Sequence, residues 1–322
     1  MPDINYLPIS QLDESLLFPL MNEEREAWLE DLDWDYSIIQ QILTSFMARK
    51  LLPGYAAFAD KRRMIGYIYF LTGQSKGSIG ALYTAKMDSA EDAQEVADGL
   101  LSLGVSGFKN IAFVRRIEAQ IMPFHGQSYA GVFTQNGFRH YPRSYLTMNL
   151  EAGASDEKRA VPTRDIPQVI PFDTSRLNSA AKMTMQSYRG ELDAEICSDY
   201  RTVETCANYL QSLVRSPGCG VFMPYASFMG LDPQGVPCGY VVCSRISEES
   251  AMIPQIVVRP DCRGLGLGNV LMDHCRRQLR AWHFHSLHLM VSEENSRARD
   301  WYQRLGFQTC RKFGAFVWER NQ

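Results

Sequence analysis

Ile256-Val257-Val258-Arg259-Pro260-Asp261-Cys262-Arg263-Gly264-Leu265-Gly266-Leu267-Gly268-Asn269 is the stretch on which the fold turns. The β-branched run 256–258 reads as a strand, and Pro260 stops it because proline brings no N–H to a ladder. Beyond the glycines, apolar residues recur at helical spacing over Gly268–Trp282. A glycine turn between strand and helix lets the backbone approach a ligand closely and aims amide N–H groups outward. The helix N-terminus adds a positive partial charge, so the feature suits a phosphate or pyrophosphate. The G-x-G-x-G spacing departs from the dinucleotide fingerprint G-x-G-x-x-G. Roughly 20 residues on, where that fingerprint calls for an acidic ribose ligand, stands Trp282-His283-Phe284-His285. The phosphate loop G-x-x-x-x-G-K-[ST] is absent too.

Outward from this stretch the pattern repeats. Downstream come a strand over Ser286–Val291, the run Asn295-Ser296-Arg297-Ala298, then Trp301-Tyr302, Leu305-Gly306-Phe307 and a closing strand AFVWER. Upstream lie strands over Gly239–Cys243 and Ile253–Val258, and a mainly helical region Asp173–Ser216. The first half has strand-like runs Met64–Leu71 and Ile79–Ala85, then a helix over Ala90–Leu103 and a strand over Ile117–Phe124. Gly137-Phe138 and a closing SYLTMNL follow. The two Gly-Phe pairs stand about half a chain apart, which points to a duplicated α/β unit. Between the halves, EAGASDEKRAVPTRDIP (151–167) is small, charged and proline-marked. The expected organisation is therefore a domain over 1–150, a linker over 151–167 and a domain over 168–322. Strands alternating with helices predict a mixed α/β sheet in each.

The length of 322 residues fits two domains at roughly 150 residues each. Hydrophobic residues at 45% and charged residues at 21% exclude disordered and fibrous classes. A net charge of −3 argues against broad binding to nucleic acid or an anionic membrane. No run is long and apolar enough to span a bilayer, and the acidic, proline-marked start lacks the features of a signal peptide. A cytoplasmic protein is expected. All eight cysteines fall in the second half without a C-x-x-C pair, which reads as reduced thiols in or near a core. His285 and His288 have opposite parity on a strand, so no metal site is expected from the cluster with His283. Met183 and Met185 read as core packing.

Arg263-x-x-Gly266-x-Gly268, preceded by Val258-Arg259-Pro260, closely resembles motif A of the GCN5-related N-acetyltransferases (GNAT). Asn295-x-x-Ala298-x-x-x-Tyr302-x-x-x-Gly306-Phe307 is similar to that superfamily's second signature. The resemblance covers about Val169–Arg320 and is strongest over Ile253–Phe307. It implies two GNAT-like domains, each a mixed, mostly antiparallel central sheet flanked by helices. It implies acetyl-CoA as acyl donor: Ile256 and Val258 pairing with the pantetheine arm, and an N–H near Val257 polarising the thioester carbonyl. Amides of Gly264, Leu265, Gly266, Leu267, Gly268 and Asn269 would hold the pyrophosphate, Arg263 would orient the loop, and Asn295 would contact pantetheine. Tyr302 would protonate the leaving thiolate, a role open to a phenol as charge develops on sulfur. An amine held near the carbonyl would attack directly in a ternary complex. For the general base the resemblance points to Glu249, with Glu248 beside it. Glu191, Asp193 and Glu195 lie in the region of the family's acceptor-binding helices and read as a solvated acidic face.

The first half departs from this pattern. Aligning its Gly-Phe pair puts Phe133 at the tyrosine position and Gly126 at the asparagine position, and KMDSAEDAQ replaces the glycine turn with acidic residues. It reads as a degenerate copy that binds no CoA. The expected partner is a small-molecule or peptide amine. A non-catalytic acyl-CoA-binding module and an interaction protein with a merely structural glycine turn are the competing classes.

Overall fold

The computed structural model describes residues 4–59, 63–73, 75–151 and 168–320. The chain forms two compact units, one of Met1–Arg143 with Lys312–Gln322, the other of Ser144–Arg311. The expected boundaries differ from this division at two places. Residues 144–150 fall in unit 2, because Leu146, Met148 and Leu150 pack into its core. The last eleven residues fall in unit 1, because Gly314–Glu319 pair with Arg116–Ile121 there. Residues 152–167 of the expected linker lie outside the described residues.

Unit 1 runs β1 (Asn5–Pro8), α1 (Phe18–Leu32), α2 (Ser37–Ala48), β2 (Gly54–Phe58), β3 (Met64–Gly73), β4 (Lys76–Thr84), α3 (Ala90–Asn110), β5 (Arg116–Ile121), α4 (Ala130–Gln135) and the start of β6 (Arg139–Asn149). Strands β1 to β4 are consecutive antiparallel neighbours, and β5 joins β4 in parallel. Helix α3 outruns its expected end by seven residues, because Gly104, Val105 and Phe108 continue the stripe of Val96, Leu100 and Leu101 onto the sheet. The N-terminal helices α1 and α2 were not anticipated.

Unit 2 runs β7 (Gln168–Pro171), α5 (Leu177–Tyr188), α6 (Asp193–Ile196), α7 (Val203–Arg215), β8 (Val221–Phe222), β9 (Phe228–Leu231), β10 (Pro237–Arg245), β11 (Ser250–Val258), α8 (Leu267–Ala281), β12 (Ser286–Ser292), α9 (Ser296–Leu305) and the start of β13 (Gln308–Glu319). The order β7-β9-β10-β11 is antiparallel and β12 joins β11 in parallel. Helix α8 lays Leu267, Leu271, Met272, Cys275 and Leu279 on one face of the sheet, with Tyr302 and Phe307 in the same core. Helices α5 and α7 cover the other face through Ala180, Ala181, Met183, Cys206, Leu210 and Leu213. Met183 is core, as expected, with Met185 partly buried against it. All eight cysteines are free thiols; five are buried and two half-buried, but Cys310 is exposed. Among the described residues no helix is long and apolar enough to cross a membrane, and no three His, Cys, Asp or Glu side chains group to hold a metal.

The two units share one internal design. Gly66↔Thr84 in unit 1 and Gly239↔Val258 in unit 2 sit at corresponding rungs, and each glycine faces the helix that follows its sheet. A β-bulge follows in both ladders, at Gly80 in β4 and at Ile253-Pro254 in β11. Both units close on a short helix ending at a left-handed glycine, Gly137 (φ 77°) or Gly306 (φ 102°). The aromatic pair across that cap is also shared. Phe133–Phe138 centroids lie 5.0 Å apart and Tyr302–Phe307 centroids 5.6 Å apart, both edge-on.

Candidate active site

The bulge in β11 opens the sheet. Parallel pairing with β12 runs only from Ser250↔Ser286 to Ile253↔Leu289, while β11 continues to Val258 paired with β10 alone. Pro254 suits the bulge, having no N–H to leave unpaired. Arg259 N donates to Cys238 O at 2.9 Å, so strand alternation points the backbone groups of Val257 and Gln255 at β10. Those of Ile256 and Val258 point into the opening. The N–H of Val257 therefore does not face the opening, contrary to the role expected near it; the donors available are on Ile256 and Val258.

Past the strand, Gly264 (φ 84°) and Gly266 (φ 86°) take left-handed conformations that side chains resist. Gly266 is the N-cap of α8 and offers no side chain to the helix end. Val270 N bonds Gly266 O, but among the described residues nothing accepts from the amides of Gly264, Leu265, Gly266, Leu267, Gly268 or Asn269. Six unpaired donors at the positive end of a helix form an anion cradle. Arg263 steadies the loop: it donates from Nε to Val258 O (3.2 Å) and from Nη2 to Ser187 O (3.1 Å), and meets Glu191 at 3.3 Å. The Asn269 side chain accepts from Trp301 Nε1 at 2.7 Å, tying α9 to the first turn of α8.

Asn295 caps α9, its Oδ1 accepting from Ala298 N at 3.1 Å. Its oxygen is thus engaged structurally, and only the amide NH2 is left for a ligand. Tyr302 is buried between Trp301 and Phe307. Glu249 stands apart from all of these. It is 67% exposed beside His285 (Oε2 to Nδ1, 3.0 Å), at the start of β11. Six residues of extended strand, about 20 Å, separate it from Gln255. The placement does not bring Glu249 to the opening, and Glu248 precedes it in the same turn.

Sequence reasoning missed the polar centre beside the opening. Gln255 is buried, donating from Nε2 to Tyr188 OH (2.8 Å) and accepting at Oε1 from Tyr200 OH (2.8 Å). The Tyr188 and Tyr200 rings stack at 4.3 Å, and Tyr209 stands edge-on to Tyr200. Burial pushes all three phenols well above their ordinary pKa, so they remain neutral. The Asp193 carboxylate adds to this at Tyr188 by electrostatic repulsion. Asp193 is half-buried and accepts from Ser292 Oγ at 2.9 Å, which removes it from the solvated acidic face expected of it. A cleft of about 280 Å³ lined by Met185, Arg189, Glu191, Glu195, Tyr200 and Arg201 adjoins this centre. The signal was present in the sequence: a glutamine inside a β-branched run has to be satisfied when buried.

Residues 193–307 match the Acetyltransferase (GNAT) family. An uncharacterized N-acetyltransferase of Methanocaldococcus jannaschii is 34% identical over 87 residues, which is 25% of this chain and 38% of that relative's length. A GCN5-related N-acetyltransferase structure from Sphaerobacter thermophilus superposes with a TM-score of 0.66 at 13% identity, covering 99% of this chain and 96% of its own. A tandem GNAT protein from the clavulanic acid biosynthesis pathway gives 0.60 at 14% identity, covering 99% of both chains. At such identities the likeness is one of fold. The segment 193–307 is thus similar to the GNAT acetyltransferases, and the likeness over the rest of the chain is one of fold.

In unit 1 the corresponding elements are furnished differently. The β4–β5 ladder ends at Ile79↔Ala119, and Gln127 bridges the strand end to α3, donating to Thr84 Oγ1 (2.5 Å) and Ala93 O (3.0 Å). Ser89 caps α3 with its own hydroxyl, Glu91 and Asp92 occupy the first turn, and Glu23 accepts from Lys86 N at 2.6 Å. Phe133, at the tyrosine position, has no hydroxyl and stacks on Phe316.

Proposed function

We propose that unit 2 transfers an acetyl or other short acyl group from CoA to an amine, by direct attack in a ternary complex. One observation carries the reading: the amides of Gly264–Asn269 have no acceptor among the described residues, and they follow closely on the stretch of β11 that β12 leaves unpaired. A pyrophosphate joined to an amide-bearing arm has the matching acceptors and donors. Arg263 would hold the shape of the loop through Val258 O and Ser187 O. Bound acetyl-CoA would supply an activated thioester. Ile256 and Val258 would pair with its arm, and the NH2 of Asn295 would contact it. Tyr302, held between Trp301 and Phe307, would donate a proton to the leaving sulfur. The acceptor, a small molecule or peptide, would enter through the cleft at Arg189 and Tyr200. Unit 1 would bind no CoA, because Ser89, Glu91 and Asp92 already fill its helix end and add charge of the wrong sign.

Gly266→Glu tests the assignment. The substitution strains a left-handed position and places a carboxylate at the cradle, so it should abolish acetyl-CoA binding in calorimetry while the protein still melts cooperatively. Full retention of binding would contradict the reading.

A further inference from the structure

We infer that Asp193 is the base that takes the proton from the attacking amine, resting on the acyl-transfer reading above. The carboxylate sought in sequence at Glu249 is about 20 Å away along the strand, so the opening needs another proton acceptor. Asp193 opens α6, directly after the loop that joins the acceptor-side helix α5. Its Oδ1 is fixed by Ser292 Oγ (2.9 Å), a fully buried residue that ends β12 three positions beyond the last rung with β11. Among the described residues no hydrogen-bond donor reaches Oδ2, which leaves that oxygen for a ligand. Gln255 of β11 donates to Tyr188 OH at 2.8 Å, and the charge on Asp193 is felt at that same hydroxyl. One carboxylate thus stands at the end of β12 where it parts from β11, and Tyr302 lies in α9, the helix that follows β12. The cleft beside them is lined by Ala194 and Glu195 of the same short helix and by Tyr200, which stacks on Tyr188.

The chemistry balances on these two groups. The amine nitrogen forms a bond to the thioester carbonyl carbon and the carbon–sulfur bond breaks. The proton leaving nitrogen goes to Asp193 Oδ2, and the proton of Tyr302 goes to the departing sulfur. The products are an amide and the CoA thiol, and solvent resets both side chains.

The test uses the full chain and follows CoA thiol release from acetyl-CoA. Water serves as the ever-present acceptor, and spermidine, lysine and a tripeptide with a free N-terminus are offered in turn. Asp193→Ala should lower turnover by roughly 100-fold or more for every acceptor the wild type uses, with acetyl-CoA affinity changed by no more than about twofold. Added formate should restore about tenfold of the loss, and Asp193→Glu should retain more activity than Asp193→Ala. Unchanged turnover in Asp193→Ala, or a loss that formate does not restore, overturns the assignment. A wild type that binds acetyl-CoA yet releases no thiol with water or any amine also overturns it. A wild type that fails to bind acetyl-CoA contradicts the acyl-transfer reading itself.

Discussion

Tyr302 is oriented by its own helix and core. Trp301 and Phe307 flank the ring, and Phe307 N bonds Tyr302 O at 3.0 Å, closing the helix on Gly306. Removing the hydroxyl alone leaves that packing intact. Tyr302→Phe should therefore lower turnover by about 10²–10⁴-fold with little change in acetyl-CoA affinity, as steady-state kinetics and calorimetry can establish. A large loss of affinity would show a binding or structural role instead. A second residue, in unit 1, carries a stability signature. Glu24 is buried, accepting from Trp28 Nε1 and Tyr67 OH, and burial pushes its pKa up to about 7. Its folded pKa exceeds its unfolded value, so the folded state keeps the proton longer. The contribution is full below the unfolded value, is lost as pH rises toward 7, and is flat above. Glu24→Gln should remove that loss, on the order of 3 kcal/mol, in denaturant titrations at about pH 5 and about pH 7.5.

At the scale of elements, the glycine loop stands on the packing of α8 against β10. A Cβ at Gly239 would fall 2.8 Å from Leu267 Cδ2 and 3.1 Å from Val257 O. Gly239→Val should cost about 1–3 kcal/mol in unfolding experiments and weaken acetyl-CoA binding, because relief requires moving the first turn of α8. Wild-type affinity in a folded variant would show that the loop is independent of that packing. Which elements could be read from sequence follows from the same physics. The strand–loop–helix around Gly264–Gly268 was legible because proline, glycine and a one-sided apolar stripe mark it locally. The closing strands of both halves were legible from their Gly-Phe caps. Helix α1 was not, since Leu20, Met21 and Leu32 are buried while Leu29 is half-exposed, leaving a poorly sided stripe. Gln255 escaped notice, and Asp193 was read as part of a solvated face, for a different reason: their hydrogen bonds are to Tyr188 and Ser292, partners far away in sequence.

Across the whole molecule, one internal design appears twice with different contents. The corresponding rungs Gly66↔Thr84 and Gly239↔Val258, the bulges and the glycine-ended final helices show the shared frame. What differs is polarity at the helix end: unpaired amides at α8, and a serine cap with acidic neighbours at α3. One helix N-terminus carries no capping side chain, while the other is met by a serine and two carboxylates. The most direct test is calorimetric titration of the full-length protein with acetyl-CoA. The account predicts one site per chain, eliminated by Gly266→Glu. Two sites would contradict the reading of unit 1, and no binding by the folded protein would contradict the assignment of unit 2.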